Sequence, residues 1–201
     1  MKLDLTLDGV RYDFRTPSVY DMPAIRRMLT KARVRRPAEA EFRIAALAGV
    51  DAMAEAVSDA AEGQRQKALI TDWYELSEPL TEDQIDEPDM ELRGEELKRQ
   101  LAERRARQVE IYPQIAAIEA NLERHCAPYA ELKADREYFD ELSNIEVVRR
   151  LLFSAGGMVL ARDDDDFVSV DAYQRIAKVH RQALATFAYG LLTPDEARRK
   201  N

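Results

Sequence analysis

The chain has 201 residues, of which 46% are hydrophobic and 34% are charged, with only 7 glycines and 8 prolines. This composition favours helices with charged outer faces over a turn-rich β-sandwich. The formal net charge of −8 argues against a general nucleic-acid binder, and the single cysteine, Cys126, excludes an intrachain disulfide. We expect a soluble protein of the cytosol with no membrane partner, because the chain starts without signal-peptide features and no stretch approaches the roughly 18 apolar residues of a spanning helix.

Residues 3–14 predict a β-hairpin, because apolar side chains alternate with charged or hydroxyl groups on either side of Asp8-Gly9. Asp-Gly is the strongest short hairpin signal, since a type I′ turn needs positive φ at both central residues. A two-residue loop gives the pairs Leu7 with Val10, Leu5 with Tyr12 and Leu3 with Phe14. The same register sets Asp4 opposite Asp13, which suggests a bulge or a different loop. An isolated hairpin is marginally stable, so its apolar face must lie on helices or on another chain.

The stretch after the hairpin predicts three helices before residue 77. The first has Asp21 as its N-cap, the second is alanine-rich and follows Pro37, and the third follows Gly63. Trp73 and Tyr74 are predicted core anchors, with a partner-facing aromatic patch as the alternative. The most basic cluster is Lys31, Arg33, Arg35 and Arg36. We interpret it as a solvated helix end, with a docking patch for an acidic partner as the alternative.

An acidic linker is predicted over residues 77–93. Between Glu75 and Glu96 ten residues are acidic and only Arg93 is basic, and two prolines lie in the same stretch. Residues 81–84 also fit a capping box for a short helix. We interpret this segment as a solvated connector, with metal binding as the less favoured alternative.

Residues 90–139 carry a heptad seam, which is the pattern of helices that pack along a shared stripe. Its positions include Leu97, Leu101, Ile111, Ile115, Ile118 and Leu122. Pro113 and Pro128 interrupt it, so we predict two or three helices in place of one rod. Arg104 and Gln108 occupy seam positions, where the seam either opens or contains a polar layer.

Two helices are predicted after the seam. Ser143-Asn144-Ile145-Glu146 reads as a capping box that opens a helix ending at Gly156-Gly157. The final long helix should begin near Ser169 or Asp171 and end near Tyr189, and Thr193-Pro194 predicts a short terminal helix or turn.

The residues that could support chemistry are few, and they do not form a recognisable catalytic set. His125 and Cys126 are adjacent, so on a helix they point about 100° apart and cannot form an activated pair. We interpret His125 and His180 as structural or interface histidines, and residues 163–166, four aspartates, as a solvated loop with a divalent cation as the alternative. The sequence has no phosphate-binding loop, hydrolase elbow or dinucleotide fingerprint. We therefore expect no enzymatic activity and no cofactor or metal.

Both ends of the chain resemble a known family. Residues 3–15, followed by Thr16-Pro17 and a helix beginning near Asp21, resemble the start of the tail assembly chaperones of long-tailed bacteriophages. The closing residues 191–201, which run from acidic to basic after Thr193-Pro194, are similar to the ends of some members. The resemblance implies a protein of the host cytoplasm that binds the long helical tape-measure protein and recruits tail-tube subunits, the major tail protein. The family has no catalytic residues to carry over.

Taken together, these patterns predict a mainly α protein, a helical bundle with an N-terminal β-hairpin and a heptad-patterned, proline-interrupted central region. The predicted segments are residues 1–76, 77–93, 94–142 and 143–201. The candidate partner-binding residues are Leu5, Tyr12, Phe14, Leu97, Leu101, Ile111, Ile115, Ile118 and Leu122. The seam is also compatible with a homo-oligomer. Two other functions remain open, a tail or connector component of the virion and a helical regulatory module.

Overall fold

The computed structural model describes residues 3–86 and 88–192, which fall into two compact units. The terminal unit combines Met1–Arg36 with Asp135–Asn201, and the central unit is Pro37–Ala134. The four predicted segments do not coincide with these units, because residues from both ends of the sequence form one unit. The described residues are mainly helical with an N-terminal hairpin, which confirms the predicted fold class.

The elements follow one another along the chain with short connections. They are β1 (Asp4–Leu7), β2 (Val10–Phe14), α1 (Asp21–Lys31), α2 (Glu39–Val57), α3 (Ala60–Ser77), α4 (Met90–His125), α5 (Ala127–Leu151), β3 (Leu152–Ala155), β4 (Met158–Val159), α6 (Val170–Gln174) and α7 (Lys178–Leu192). A 3-10 turn, Glu82–Gln84, precedes α4. The boundary between the units falls within α5.

The hairpin has the predicted turn and register. Asp8 and Gly9 have φ values of 47° and 78°, as a type I′ turn requires. The observed pairs are Asp4 with Asp13, Leu5 with Tyr12, Thr6 with Arg11 and Leu7 with Val10. The Asp13 carboxylate accepts hydrogen bonds from Arg11 Nε at 2.7 Å and from Ser154 Oγ at 2.5 Å. The hairpin therefore keeps its two-residue loop, and the irregularity in register lies between β2 and β3 instead.

The sheet has the order β1-β2-β3-β4 and is antiparallel throughout. The prediction of a helix up to Gly156-Gly157 was wrong, because α5 ends at Leu151 and the next four residues pair with β2. The two glycines have φ values of 58° and 81° and form the turn between β3 and β4. Ser143-Asn144-Ile145-Glu146 begins no helix and lies inside α5. Long-range strand pairing overrides the helical pattern at this point.

One apolar core holds the terminal unit together. It contains inward side chains of β2, α1, the second half of α5, the segment before α6, and α7, among them Tyr12, Phe14, Ile25, Leu29, Val147, Val148, Leu151, Phe167 and Leu184. The hairpin thus covers helices of its own unit, as expected for a strand pair that is marginally stable alone. Asp21 is the first residue of α1 and not its N-cap, since its carboxylate points into the unit.

The C-terminal helix is divided in two. Ser169 caps α6, where its Oγ accepts a hydrogen bond from Ala172 N at 3.3 Å, which confirms the predicted start. α6 ends at Gln174 and α7 begins at Lys178, so the single long helix that we predicted is wrong. The predicted terminal helix at Thr193-Pro194 lies outside the described residues.

In the central unit, α4 runs through Pro113 without interruption, so the predicted break there was wrong. Pro113 and Val109, whose carbonyl loses its helical donor, both lie on the exposed side of the helix, where water can bind that carbonyl. The helix does end before Pro128, as predicted, and Pro128 lies in the first turn of α5.

The central core forms where α2, α3, α4 and the start of α5 meet. Its buried residues are Phe42, Ala46, Val50, Ile70, Ile118, Leu122 and Tyr129. The polar seam positions of α4 contact the end of α3, since Arg104 Nη1 donates to Glu78 O at 2.9 Å and Gln108 Nε2 to Ser77 Oγ at 3.3 Å. In the acidic linker, Thr81 N donates to Gln84 Oε1 at 2.9 Å, which confirms half of the predicted capping box.

Candidate functional site

An open apolar groove of about 780 Å³ lies on the surface of the central unit, and we call it the alanine groove. Its floor is one face of α2, where Ala45, Ala48, Ala52 and Ala56 recur every three or four residues. The beginning of α3 forms one wall. The junction between α4 and α5 forms the other, with Asn121, His125, Cys126, Ala127 and Pro128.

The local sequence explains why this face of α2 is close to its neighbours and still leaves space. A Cβ atom on Gly49 would lie 2.6 Å from Leu122 Cδ2 and 2.8 Å from Cys126 Sγ, and one on Gly63 would lie 2.6 Å from Ala54 Cβ. Glycine at 49 and 63 therefore permits the close approach of the helices. Alanine is the best helix former and has no side chain beyond Cβ, so α2 is stable as a helix and leaves the groove unfilled.

The rim of the groove at the start of α3 is acidic. Asp59 caps α3, with its Oδ1 accepting from Glu62 N at 3.0 Å. Arg65 donates two hydrogen bonds of 2.7 Å to the Glu62 carboxylate and Gln66 donates a third, and these bonds lower the pKa of Glu62 to about 2. A second depression beside the groove includes Asp51 and Glu55. This side of the groove therefore carries negative charge at neutral pH.

The net charge of the two units differs in sign. The central unit has 22 Asp and Glu against 11 Lys and Arg, a formal charge of −11, and the terminal unit has 16 against 19, a formal charge of +3. The whole excess of acidic residues thus lies in the unit that carries the groove.

Most of the candidate partner-binding residues are buried within their own unit. Those that are buried are Tyr12, Phe14, Ile111, Ile115, Ile118 and Leu122, whereas Leu5 and Leu97 are half-buried. Only Leu101, with 46% of its surface exposed, presents a largely accessible side chain. The seam of α4 is therefore an internal contact of the central unit from Ile111 to Leu122.

Sequence reasoning noted the small residues of α2 and assigned them no site. The available signal was the spacing of these alanines in a segment whose larger core residues, Phe42 and Val50, fall on another face. The groove exists because the side chains on its floor are small, and small side chains produce no distinctive hydrophobic pattern in the sequence.

His180 joins the hairpin turn to α7. Its Nδ1 lies 2.8 Å from Tyr12 Oη and its Nε2 lies 2.9 Å from Asp8 Oδ2. Burial, followed by the charge of Asp8, raises the pKa of Tyr12, so the phenol stays protonated. These contacts are those of a structural histidine. His125, in contrast, is exposed and lines the groove beside the half-buried Cys126.

Three of the four aspartates of residues 163–166 contact basic side chains of the terminal unit. Arg149 Nη2 donates to Asp163 Oδ2 at 2.6 Å, Lys31 Nζ to Asp165 Oδ2 at 2.8 Å, and Arg150 Nη1 to Asp166 Oδ2 at 3.2 Å. Across residues 3–86 and 88–192, no group of three or more His, Cys, Asp or Glu side chains is arranged to hold a metal ion. None of the helices in these ranges is both long enough and apolar enough to cross a membrane.

Comparison with known proteins gave no relative: no protein-family model, no curated protein and no solved structure matches this chain.

Proposed function

We propose that this protein is a non-enzymatic chaperone that binds helical segments of a partner, and specifically a tail assembly chaperone of a long-tailed bacteriophage. In this role it binds the tape-measure protein in the host cytoplasm and recruits tail-tube subunits, the major tail protein. The observation that supports the proposal is the alanine groove, an open apolar surface on an otherwise strongly acidic unit.

The dimensions of the groove suit a helix. The floor from Ala45 to Ala56 is about 16 Å long at a rise of about 1.5 Å per residue, which matches about three turns of a partner helix. An amphipathic helix binds by placing its apolar face in such a groove, and small residues on the floor allow its backbone to approach closely. The acidic surface around the groove would keep a complex with a long apolar partner in solution.

The test is affinity purification of the tagged protein from its native host, with mass spectrometry of the retained proteins and of released particles. Recovery of a very long helical protein from the lysate, with this chain absent from particles, is the expected result. Presence of the chain in mature particles would identify a tail or connector component of the virion instead. Retention of one small partner only would identify a regulatory module, and either outcome would contradict the chaperone proposal.

A further inference from the structure

We infer that the alanine groove selects a basic amphipathic helix, one with small or aliphatic side chains on its contact face and Lys or Arg along the edge that meets α3. The inference rests on the proposed function in that it specifies the partner of the same site. It adds the charge and the size of the side chains that the site accepts.

The charge requirement follows from the residues beside the groove. Asp51, Glu55, Asp59 and Glu62 lie on the groove or on the depression next to it. Lys67 Nζ lies 2.9 Å from Asp51 Oδ2 and Arg65 pairs with Glu62, so within the described residues the carboxylates of this edge without an ion pair are those of Glu55 and Asp59. Glu55 is exposed, with no side-chain hydrogen bond or ion pair to the rest of the described chain. Cationic side chains on a partner would complement this edge and speed its association.

The size of the side chains on the partner helix is restricted by the floor of the alanine groove. Ala48, Ala52 and Ala56 are exposed and present only methyl groups to the groove, while the larger side chains of Met53 and Val57 line it beside them. A helix that packs on such a floor buries its apolar face at short interaxial distance only if its own contact residues are small or slender. A large aromatic side chain introduced on either surface would hold the two helices apart.

The protein contains a reporter for occupancy of this site. Cys126 is the single thiol of the chain, it is free, and it lines the groove between α4 and α5. A helix in the groove would cover its Sγ atom. The rate at which a thiol reagent alkylates the native protein therefore measures occupancy without an engineered label.

The experiment uses the full-length protein and two synthetic helical peptides that share an Ala- and Leu-rich contact face. One peptide carries Lys at the flanking positions and the other carries Glu. Dissociation constants are measured by fluorescence anisotropy at low and high salt, and the alkylation rate of Cys126 is measured with each peptide. We expect the Lys peptide to bind at least about tenfold more tightly than the Glu peptide at low salt, to lose that advantage at high salt, and to protect Cys126.

Two pairs of variants test whether binding occurs in the groove. Ala52→Phe fills the floor, and Ala106→Phe makes the same change at an exposed position of α4 outside the groove. We expect at least about tenfold weaker binding for the first and a change within about twofold for the second. Glu55→Lys should weaken binding of the Lys peptide roughly threefold to tenfold, while Glu91→Lys, an exposed change on α4, should not. Circular dichroism verifies that each variant is folded.

Several results would overturn the inference. Equal affinity for both peptides, or binding of neither, would contradict the charge requirement. Binding of the Lys peptide that is unchanged by Ala52→Phe would show that the peptide binds elsewhere. Slower alkylation of Cys126 as the protein alone is concentrated would show that a second copy of the protein occupies the groove. The two proposals fail separately. Selective binding of the Lys peptide without a long partner in the host would retain this inference and reject the chaperone function, and the reverse result would reject only the inference.

Discussion

The buried carboxylate of Asp21 links α1 with the segment that precedes it and with the end of α5. Asp21 is fully buried, and its Oδ1 accepts from Arg15 Nη2 at 2.6 Å and from Arg150 Nε at 2.9 Å, while Ser18 N donates to Oδ2 at 2.6 Å. Burial acts to raise the pKa of Asp21, but the hydrogen bonds from Ser18, Arg15 and Arg150 outweigh it and the pKa is lowered. The charged form is therefore the one that stabilises the fold.

Replacing Asp21 with Asn should destabilise the protein and flatten its acid dependence. A carboxylate with a lowered pKa contributes stability above its unfolded pKa of 3.8, and loses it as the pH falls through the folded value. Removing one partner of a buried ion pair costs about 3–5 kcal/mol. Urea unfolding between pH 2 and pH 7 measures both effects. Asp164→Asn, at an exposed aspartate of the same unit, is the control, and equal stability of the two variants would contradict the role assigned to Asp21.

Two glycines should respond in opposite ways to the same substitution. Gly49→Ala places a Cβ atom 2.6 Å from Leu122 Cδ2, so we expect a loss of about 1–3 kcal/mol from overpacking. Gly94, within α4, has no atom within 4 Å of a built Cβ, so Gly94→Ala should gain about 0.5–1 kcal/mol of helix propensity. Thermal unfolding of both variants measures the difference, and a Gly49→Ala protein as stable as the parent would show that α2 can move away from α4.

At the scale of elements, the two ends of α4 have different surroundings although they share one heptad pattern. Leu101 is 46% exposed, whereas Ile115 is 2% exposed. Ile115→Asp should unfold the central unit because it buries an unpaired charge, while Leu101→Asp should cost less than about 1 kcal/mol. Circular dichroism and urea titration measure the contrast. Similar losses for both variants would indicate that the whole seam is covered.

Several local signals in the sequence predicted the structure correctly, whereas the capping box at Ser143 and the N-cap at Asp21 did not. The Asp8-Gly9 turn, the Ser169 cap and the end of α4 before Pro128 follow from local chemistry, and each was predicted. Pro113 was misjudged because its cost depends on exposure, which a linear pattern does not contain. β3 was missed because its partner, β2, lies at the other end of the chain, and a helical pattern of apolar residues cannot reveal that pairing.

The candidate site was predicted less well than the fold. Tyr12 and Phe14 were chosen because apolar residues on a hairpin need a cover, and the structure supplies that cover from α7, where Phe187 lies 5.0 Å from Phe14 between ring centroids. An apolar pattern identifies surfaces that must be buried but does not distinguish burial inside the chain from burial against a partner. The alanine groove cannot be recognised from an apolar pattern at all, because it forms only when α2, α3, α4 and α5 pack together.

At the scale of the whole molecule, residues 3–86 and 88–192 form two cores that share no residue. We predict that Ile118→Ala raises amide hydrogen exchange mainly within residues 37–134, and that Leu184→Ala does so mainly in the terminal unit. Each substitution empties a buried aliphatic site and should cost about 2–5 kcal/mol. Exchange measured by mass spectrometry resolves the two regions. Equal increases in both regions after either substitution would show a single cooperative unit.

The discontinuous terminal unit has a consequence for synthesis. Strands β1 and β2 leave the ribosome first, but β3, which pairs with Tyr12 and Phe14, is made only after the whole of residues 37–134. The central unit can fold during translation, because all of its elements are consecutive. Once it has folded, a compact unit replaces a flexible segment between residues 36 and 135, which shortens the effective loop that the late strand must close. The nascent hairpin, with its apolar face still uncovered, is then the part of the chain that most needs protection by cellular chaperones.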